Sequence, residues 1–333
     1  MVRPAIIHAQ IRERLEACSD VEFARFEADR IVEHIFGLPA GEFWAADEVS
    51  PLPEFGGTRS RVEGGRTEVE SAHAFERELD RIIAGRAEGV PLAYLLGYAW
   101  FNGLKIGVSP GVLIPRQETE GLALIGKELL DEAARRRSDF GLAASGESAV
   151  QSGVLVATDE EDASELRVLD FGCGSGCIAV YLALEFPDAV VWASDKSAAA
   201  IRATRGNLKR YALGLRVIPV QHDGLAGLSG PANLDLLISN PPYIAADDGR
   251  LDESVRLHEP QDALIAPGGG LHYFRMIARF APGLVAPGGR AAVEVGEGQA
   301  DDVRRIFWAG GADEVEVRRD LAGIDRYVIA RYS

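Results

Sequence analysis

The stretch Arg167-Val-Leu-Asp-Phe-Gly-Cys-Gly-Ser-Gly176, followed at once by Cys177-Ile-Ala-Val-Tyr-Leu-Ala-Leu-Glu-Phe186, decides how this chain folds. Residues 167–171 are short and mostly apolar and predict a strand. The three glycines at 172, 174 and 176 predict a tight loop, since glycine lets the backbone approach a ligand where a Cβ would block it. Residues 177–186 predict a helix, and 190–194 a second strand that ends in Asp195. An acid there, about twenty residues past the loop, can accept both hydroxyls of a ribose. A Gly-x-Gly pattern alone is weak, but here it carries its strand, its helix and its acid. Working outward, residues 197–211 predict a helix and 215–220 a strand ending near His222-Asp223-Gly224. A strand over 234–238, a helix over 271–285, a strand over 290–295 and a helix over 299–308 follow. Residues 314–318 and 327–332 predict two more strands. Strands and helices alternating in this way predict an α/β chain with a parallel sheet covered on both faces.

The strand Leu234-Asp-Leu-Leu-Ile238 runs into Ser239-Asn240-Pro241-Pro242-Tyr243. The two prolines lack an N–H and fix φ, so the turn is stiff and its carbonyls point away from any ladder. Asn240 brings an amide oxygen and Tyr243 a flat ring with a polar tip. Such a turn can hold a small planar NH2 group by two accepted hydrogen bonds and a face contact. Asn-Pro is also an ordinary turn opener, which leaves a plain strand end as the alternative. For the glycine loop, NAD and S-adenosylmethionine compete. Gly-x-Gly-x-Gly is tighter than the dinucleotide Gly-x-Gly-x-x-Gly, with less room to present a helix start to a pyrophosphate. Asp170 would also repel a pyrophosphate and suits a cationic ligand. These points favour S-adenosylmethionine.

Upstream, residues 6–86 are helical in pattern, with Ile11, Leu15, Phe26, Ile31 and Ile35 at helix-like spacing, and residues 69–84 resume that period. Residues 51–65 read as a loop or insertion. Short alternating runs at 104–108 and 112–114 predict a hairpin, and Thr119 is placed to cap the helix that follows Arg116-Gln117-Glu118. Residues 135–165 are polar and aperiodic and read as a surface insertion. The chain has 333 residues, 47% of them apolar, and no apolar run of membrane-spanning length. It has three cysteines and no secretory pattern, which predicts a reducing, cytoplasmic compartment. Cys173 and Cys177 lack a neighbouring histidine and make a poor zinc site, so no metal is expected. The net charge of −16 repels nucleic acid and favours a protein or small-molecule substrate.

Asp170–Gly176 together with Asn240–Tyr243 resembles the class I methyltransferases that act on planar amino or amide nitrogens. Pro91-Leu-Ala-Tyr-Leu-Leu-Gly97, Val112-Leu-Ile-Pro-Arg-Gln-Glu-Thr-Glu120 and His258-Glu-Pro-Gln-Asp-Ala-Leu264 narrow the resemblance. They are similar to the release factor glutamine methyltransferases, which N(5)-methylate the glutamine of the Gly-Gly-Gln motif in bacterial peptide chain release factors. The resemblance covers the chain apart from residues 51–65 and 135–165. It implies a Rossmann-like class I methyltransferase fold with a seven-stranded, mostly parallel sheet. It implies a helical substrate-recognition domain over 1–90, a linker with a β-hairpin over 91–118, and the methyltransferase domain over 119–333. It assigns S-adenosylmethionine to Asp170, the loop Gly172-Cys173-Gly174-Ser175-Gly176, Asp195, Asp223 and Asn240. It assigns catalysis to Asn240, Pro241 and Tyr243, and substrate binding to these with Pro242, Arg116 and Glu118.

Two departures stand out. Gln117 replaces a usual proline, and Gly224 stands where an aromatic often stacks on adenine. The expected partner is a release factor met by a cytoplasmic monomer, with no direct nucleic-acid or membrane binding. Two alternatives share these motifs: an amino-methylating nucleic-acid enzyme using the same turn, and a non-catalytic module that binds S-adenosylmethionine. The first would need a basic track, against which the net charge speaks.

Overall fold

The computed structural model describes residues 3–17, 24–38, 40–46, 67–144, 165–228, 232–249 and 253–333. The proposed insertion at 51–65 lies outside the described residues, as does most of the one at 135–165. Two compact units emerge: Met1–Tyr98 with Asp252–His258, and Ala99–Leu251 with Glu259–Ser333.

The first unit is helical: α1 Pro4–Glu16, α2 Ala24–Phe36, α3 Ala40–Ala45, α4 Thr67–Ala87 and α5 Leu92–Leu96. Ile7, Ile11 and Leu15 recur every four residues on α1 and are buried, as are Ala28, Ile31 and Ile35 on α2. These stripes meet Leu79 and Ile82 of α4 and Phe43 of α3 in one cluster. Phe26, read as part of that stripe, is instead 62% exposed. Burial on α2 falls to Ala24 and Ala28, and the Arg30 guanidinium lies 5.4 Å from the centre of the Phe26 ring.

Two strands follow, β1 Tyr98–Phe101 and β2 Leu104–Gly107, which pair as a two-stranded sheet. The hairpin therefore sits one strand earlier than the alternation suggested. Asn102 and Gly103 have φ of 45° and 75°, the left-handed pair that a two-residue hairpin turn requires. Residues 112–114 form no strand. Next comes α6 Gln117–Ala144, which runs ten residues into the segment read as an insertion. Arg137 on that extension makes a paired contact, at 3.0 and 2.8 Å, with the buried Asp235 carboxylate, which also accepts from the Arg167 amide at 2.8 Å. That explains an acid within an apolar strand: it is fully partnered.

The remaining elements are, in order, β3 Arg167–Phe171, α7 Cys177–Glu185, β4 Val190–Asp195, α8 Ala198–Arg210, β5 Val217–Gln221, β6 Leu234–Ser239, α9 Glu253–His258 (which belongs to the first unit), α10 His272–Leu284, β7 Val285–Glu294, α11 Ala300–Ala309, β8 Glu314–Arg319 and β9 Asp325–Arg331. The sheet is seven-stranded, in the order β5-β4-β3-β6-β7-β9-β8. β5 to β7 pair in parallel, whereas β9 is antiparallel to β7 and β8 to β9. Strand β7 begins five residues earlier than the sequence suggested, with a register shift against β6 taken up around Pro287-Gly288-Gly289. From β3 the chain winds outward through β4 to β5, then returns to place β6 on the other side of β3. That reversal opens a crevice at the carboxyl ends of β3, β4 and β6, where ligands bind in open sheets of this kind.

Candidate active site

Three strand ends converge on that crevice: the glycine loop after β3, Asp195 at the end of β4, and Asn240 after β6. The loop is fixed by its own backbone. The Gly172 and Cys173 amides donate to the Ser194 carbonyl at 2.8 and 3.0 Å. Gly174 has φ of 55° and nothing within 4 Å of where a Cβ would lie, so the loop presents bare backbone to open space. The Asp195 carboxylate holds the loop from the side, accepting from the Gly174 amide at 2.9 Å and the Ser197 amide at 2.8 Å. Burial raises its pKa, against the pull of those two amides.

Behind the loop stands Asn207 of α8, which is 1% exposed. Its Oδ1 accepts from the Gly107 amide at 2.7 Å, and its Nδ2 donates to the Gly107 and Ser175 carbonyls at 3.0 and 2.9 Å. One side chain therefore ties the hairpin, the glycine loop and α8 together. Nothing near it in sequence announced this.

The cavity beside the loop encloses about 580 Å³, within the usual range for small-ligand sites. Among the sequence-predicted residues, Gly172, Gly174, Asp195, Asp223, Asn240, Pro241 and Pro242 line it. Phe171, Lys196, His222 and Tyr273 also contribute to the wall, and none was anticipated. Gly224 lines the cavity at φ of 80°, with the Met276 sulfur 3.2 Å from its would-be Cβ. Aromatic surface in the wall comes from Phe171 and Tyr273 instead.

The other predicted residues do not line the cavity. Asp170 is a buried residue of β3 that accepts from the Ala179 amide of α7 at 3.1 Å; burial lifts its pKa to about 7. Cys173 and Cys177 are buried thiols whose pKa is pushed up by burial, to about 12 for Cys177. Gly176 has φ of 78°, and a Cβ there would meet Thr204 at 2.9 Å, so the glycine serves helix packing. Arg116 pairs with Glu259 at 2.7 Å, and the same carboxylate accepts from the Ile114 amide at 3.2 Å. Gln117 is the first residue of α6, a position that tolerates proline and glutamine alike. The Glu118 carbonyl accepts from the Tyr327 hydroxyl at 2.8 Å.

The turn itself is braced from three sides. The Ser239 hydroxyl donates to the Phe171 carbonyl at 2.6 Å. The Tyr243 carbonyl accepts from Gln299 Nε2 at 2.9 Å, and a Cβ on Gly270 would fall 2.1 Å from that same oxygen. The Tyr243 hydroxyl donates to Glu294 Oε1 at 3.3 Å, and burial with that carboxylate pushes its pKa up, so it stays protonated. Thr119 does not cap α6. Its Oγ1 accepts from Asn240 Nδ2 at 2.7 Å and donates to Glu294 Oε2 at 2.7 Å. Glu294, 1% exposed, has its pKa raised to about 7 by burial, opposed by the Thr119 bond.

A mostly parallel sheet with this reversal, a Cβ-free loop, a strand-end acid and an Asn-Pro-Pro-Tyr turn at the crevice defines a class I S-adenosylmethionine-dependent methyltransferase. The model of the methyltransferase small domain matches residues 139–275. A release factor glutamine methyltransferase of Bordetella pertussis is 36% identical over 92% of this chain and 95% of its own length. One of Chlorobaculum tepidum is 35% identical over 92% of this chain and 90% of its own. The chain belongs to the release factor glutamine methyltransferase family. Among the described residues no helix is long and apolar enough to cross a membrane.

Proposed function

We propose that this chain methylates the side-chain amide nitrogen of the glutamine in the Gly-Gly-Gln motif of peptide chain release factors, in the cytoplasm and as a monomer. The observation that carries this reading is the position of Asn240, Pro241 and Pro242 in the same cavity wall as Gly172, Gly174 and Asp195. The bare backbone at Gly174 and the acid beside it fit S-adenosylmethionine, because a Cβ would fill the space and a carboxylate suits ribose hydroxyls. When bound, that cofactor supplies an electrophilic methyl group on a positively charged sulfur.

A glutamine nitrogen is a weak nucleophile because its lone pair is delocalised into the carbonyl. Asn240 Oδ1 and the Pro241 carbonyl accept its two N–H bonds and turn the lone pair toward the methyl group, while the Tyr243 ring borders the amide plane. These acceptors also stabilise the positive charge that grows on nitrogen as the bond forms. The proton leaves after transfer, so no base strong enough to ionise an amide is needed. Asp195 and Asp223 in the wall complement a cationic ligand. The test is incubation of the purified chain with intact release factors and S-adenosylmethionine, followed by peptide mapping. The expected result is one added methyl group on the Gly-Gly-Gln glutamine. Methylation of nucleic acid with the factors left unmodified would overturn the reading.

A further inference from the structure

The polar relay behind the turn has a direction. Asn240 Nδ2 gives its hydrogen to Thr119 Oγ1, at 2.7 Å, and Thr119 passes its own hydrogen to Glu294 Oε2, also at 2.7 Å. Thr119 and Glu294 are 3% and 1% exposed, and neither lines the cavity; Asn240 does. A side-chain amide has its oxygen and its NH2 on opposite sides, and the two ends are of similar size, so sterics alone do not choose between them. Turned over, Asn240 would offer a donor to a substrate amide that needs an acceptor. A hydroxyl can serve either end of an amide, and what removes its freedom here is the carboxylate on its far side. Glu294 accepts the Thr119 hydrogen, which leaves only lone pairs facing Asn240. Its other oxygen accepts from the Tyr243 hydroxyl at 3.3 Å. One buried carboxylate thus holds both polar members of the turn.

We infer that Thr119 and Glu294 are positioning residues that set the rotamer of the Asn240 amide, keeping Oδ1 toward the cavity as the acceptor for the substrate N–H. The inference rests on the proposed function for its activity readout but not for its structural one. Thr119→Val keeps the shape of the side chain and removes the relay. Single-turnover methylation of a release factor at saturating S-adenosylmethionine should fall about tenfold, the worth of one neutral hydrogen bond. Cofactor affinity by calorimetry should change by less than about twofold, since affinity and turnover rest on different contacts here. Thr119→Ser, which retains the hydroxyl, should restore the rate.

In an Asn240→Ala background, Thr119→Val should slow transfer no further, because there is no amide left to orient. A loss of equal size in both backgrounds would assign Thr119 a packing role and overturn the inference. So would a serine variant as slow as the valine one. Independently of activity, NMR of the apo chain should show one Asn240 side-chain N–H protected from exchange with solvent, and that protection should vanish in Thr119→Val. Should wild-type chain leave release factors unmethylated, the proposed function fails, and the NMR arm alone then decides the relay. An Asn240 amide unprotected in the wild type overturns it.

Discussion

On the proposed reading, the chemistry narrows to a single side chain at Asn240. Asn240→Ala leaves both prolines in place and removes one acceptor from the substrate amide. By analogy with one missing oxyanion-hole donor, the barrier should rise by about 2.7–4 kcal/mol, a fall of a hundredfold or more in single-turnover rate. Cofactor affinity should drop far less, because the glycine loop and Asp195 remain. A near-parental rate would reduce the turn to a strand-end feature. Glu294 adds a dependence on pH. It faces Glu118 from α6, Arg326 and Tyr327 from β9, and Tyr243, and burial outweighs Arg326 to hold its pKa at about 7 against an ordinary 4.5. Between those values the folded chain keeps a proton that the unfolded chain has released, so stability falls as pH rises through this window. The contribution from this one buried group is about 3 kcal/mol. Glu294→Gln should therefore flatten the apo chain's urea-midpoint profile between roughly pH 4.5 and 7, with a residual slope from Asp170, whose pKa also lies at about 7. An unchanged profile would show that Glu294 is ionised as freely in the fold as in water.

At the scale of elements, the sequence was most legible where local chemistry alone fixes the backbone. The run 167–171 matches β3 residue for residue, and Cys177 starts α7 as read, because a buried strand and a glycine loop leave few alternatives. The hairpin was misplaced because two alternating runs outweighed Asn102-Gly103, the stronger turn signal. The Asn240–Thr119–Glu294 relay was illegible for a different reason: its members lie 121 and 175 positions apart, and it takes both the pairing of β6 beside β7 and the packing of α6 against those strands to bring them together. Asn207 is illegible in the same way. It is one polar residue on an ordinary amphipathic helix, yet its amide satisfies backbone groups of two other segments. Asn207→Ala should destabilise the chain by about 1–3 kcal/mol, since it strands buried backbone donors and acceptors. It should also weaken S-adenosylmethionine binding, because the Ser175 carbonyl would no longer be held. Urea denaturation and calorimetry check the two effects separately. Lost stability with intact cofactor affinity would mean that Asp195 and the Ser194 carbonyl suffice to hold the loop.

At the scale of the whole molecule, the cavity and the turn account for only part of what recognition of a protein substrate requires. On the proposed reading the turn grips one amide, through one side-chain oxygen, one backbone carbonyl and one ring, and an amide of that kind occurs in every glutamine. Selectivity for a single glutamine must then come from contacts distant from the reacting nitrogen, and the helical unit at Met1–Tyr98 is the part of the chain not occupied with the sheet or its cavity. Remote binding energy is expressed in turnover as well as in affinity, because it holds the reacting group in line. A free peptide carrying Gly-Gly-Gln should therefore be methylated with a much lower kcat as well as a higher KM than the intact factor. If the peptide differed only in KM, the remote contacts would serve capture alone and the turn would align the amide unaided. If peptide and factor reacted equally well, the helical unit would have no part in recognising the substrate, and its buried core would serve stability only. Steady-state kinetics on both substrates, at one fixed concentration of S-adenosylmethionine, separate these three outcomes.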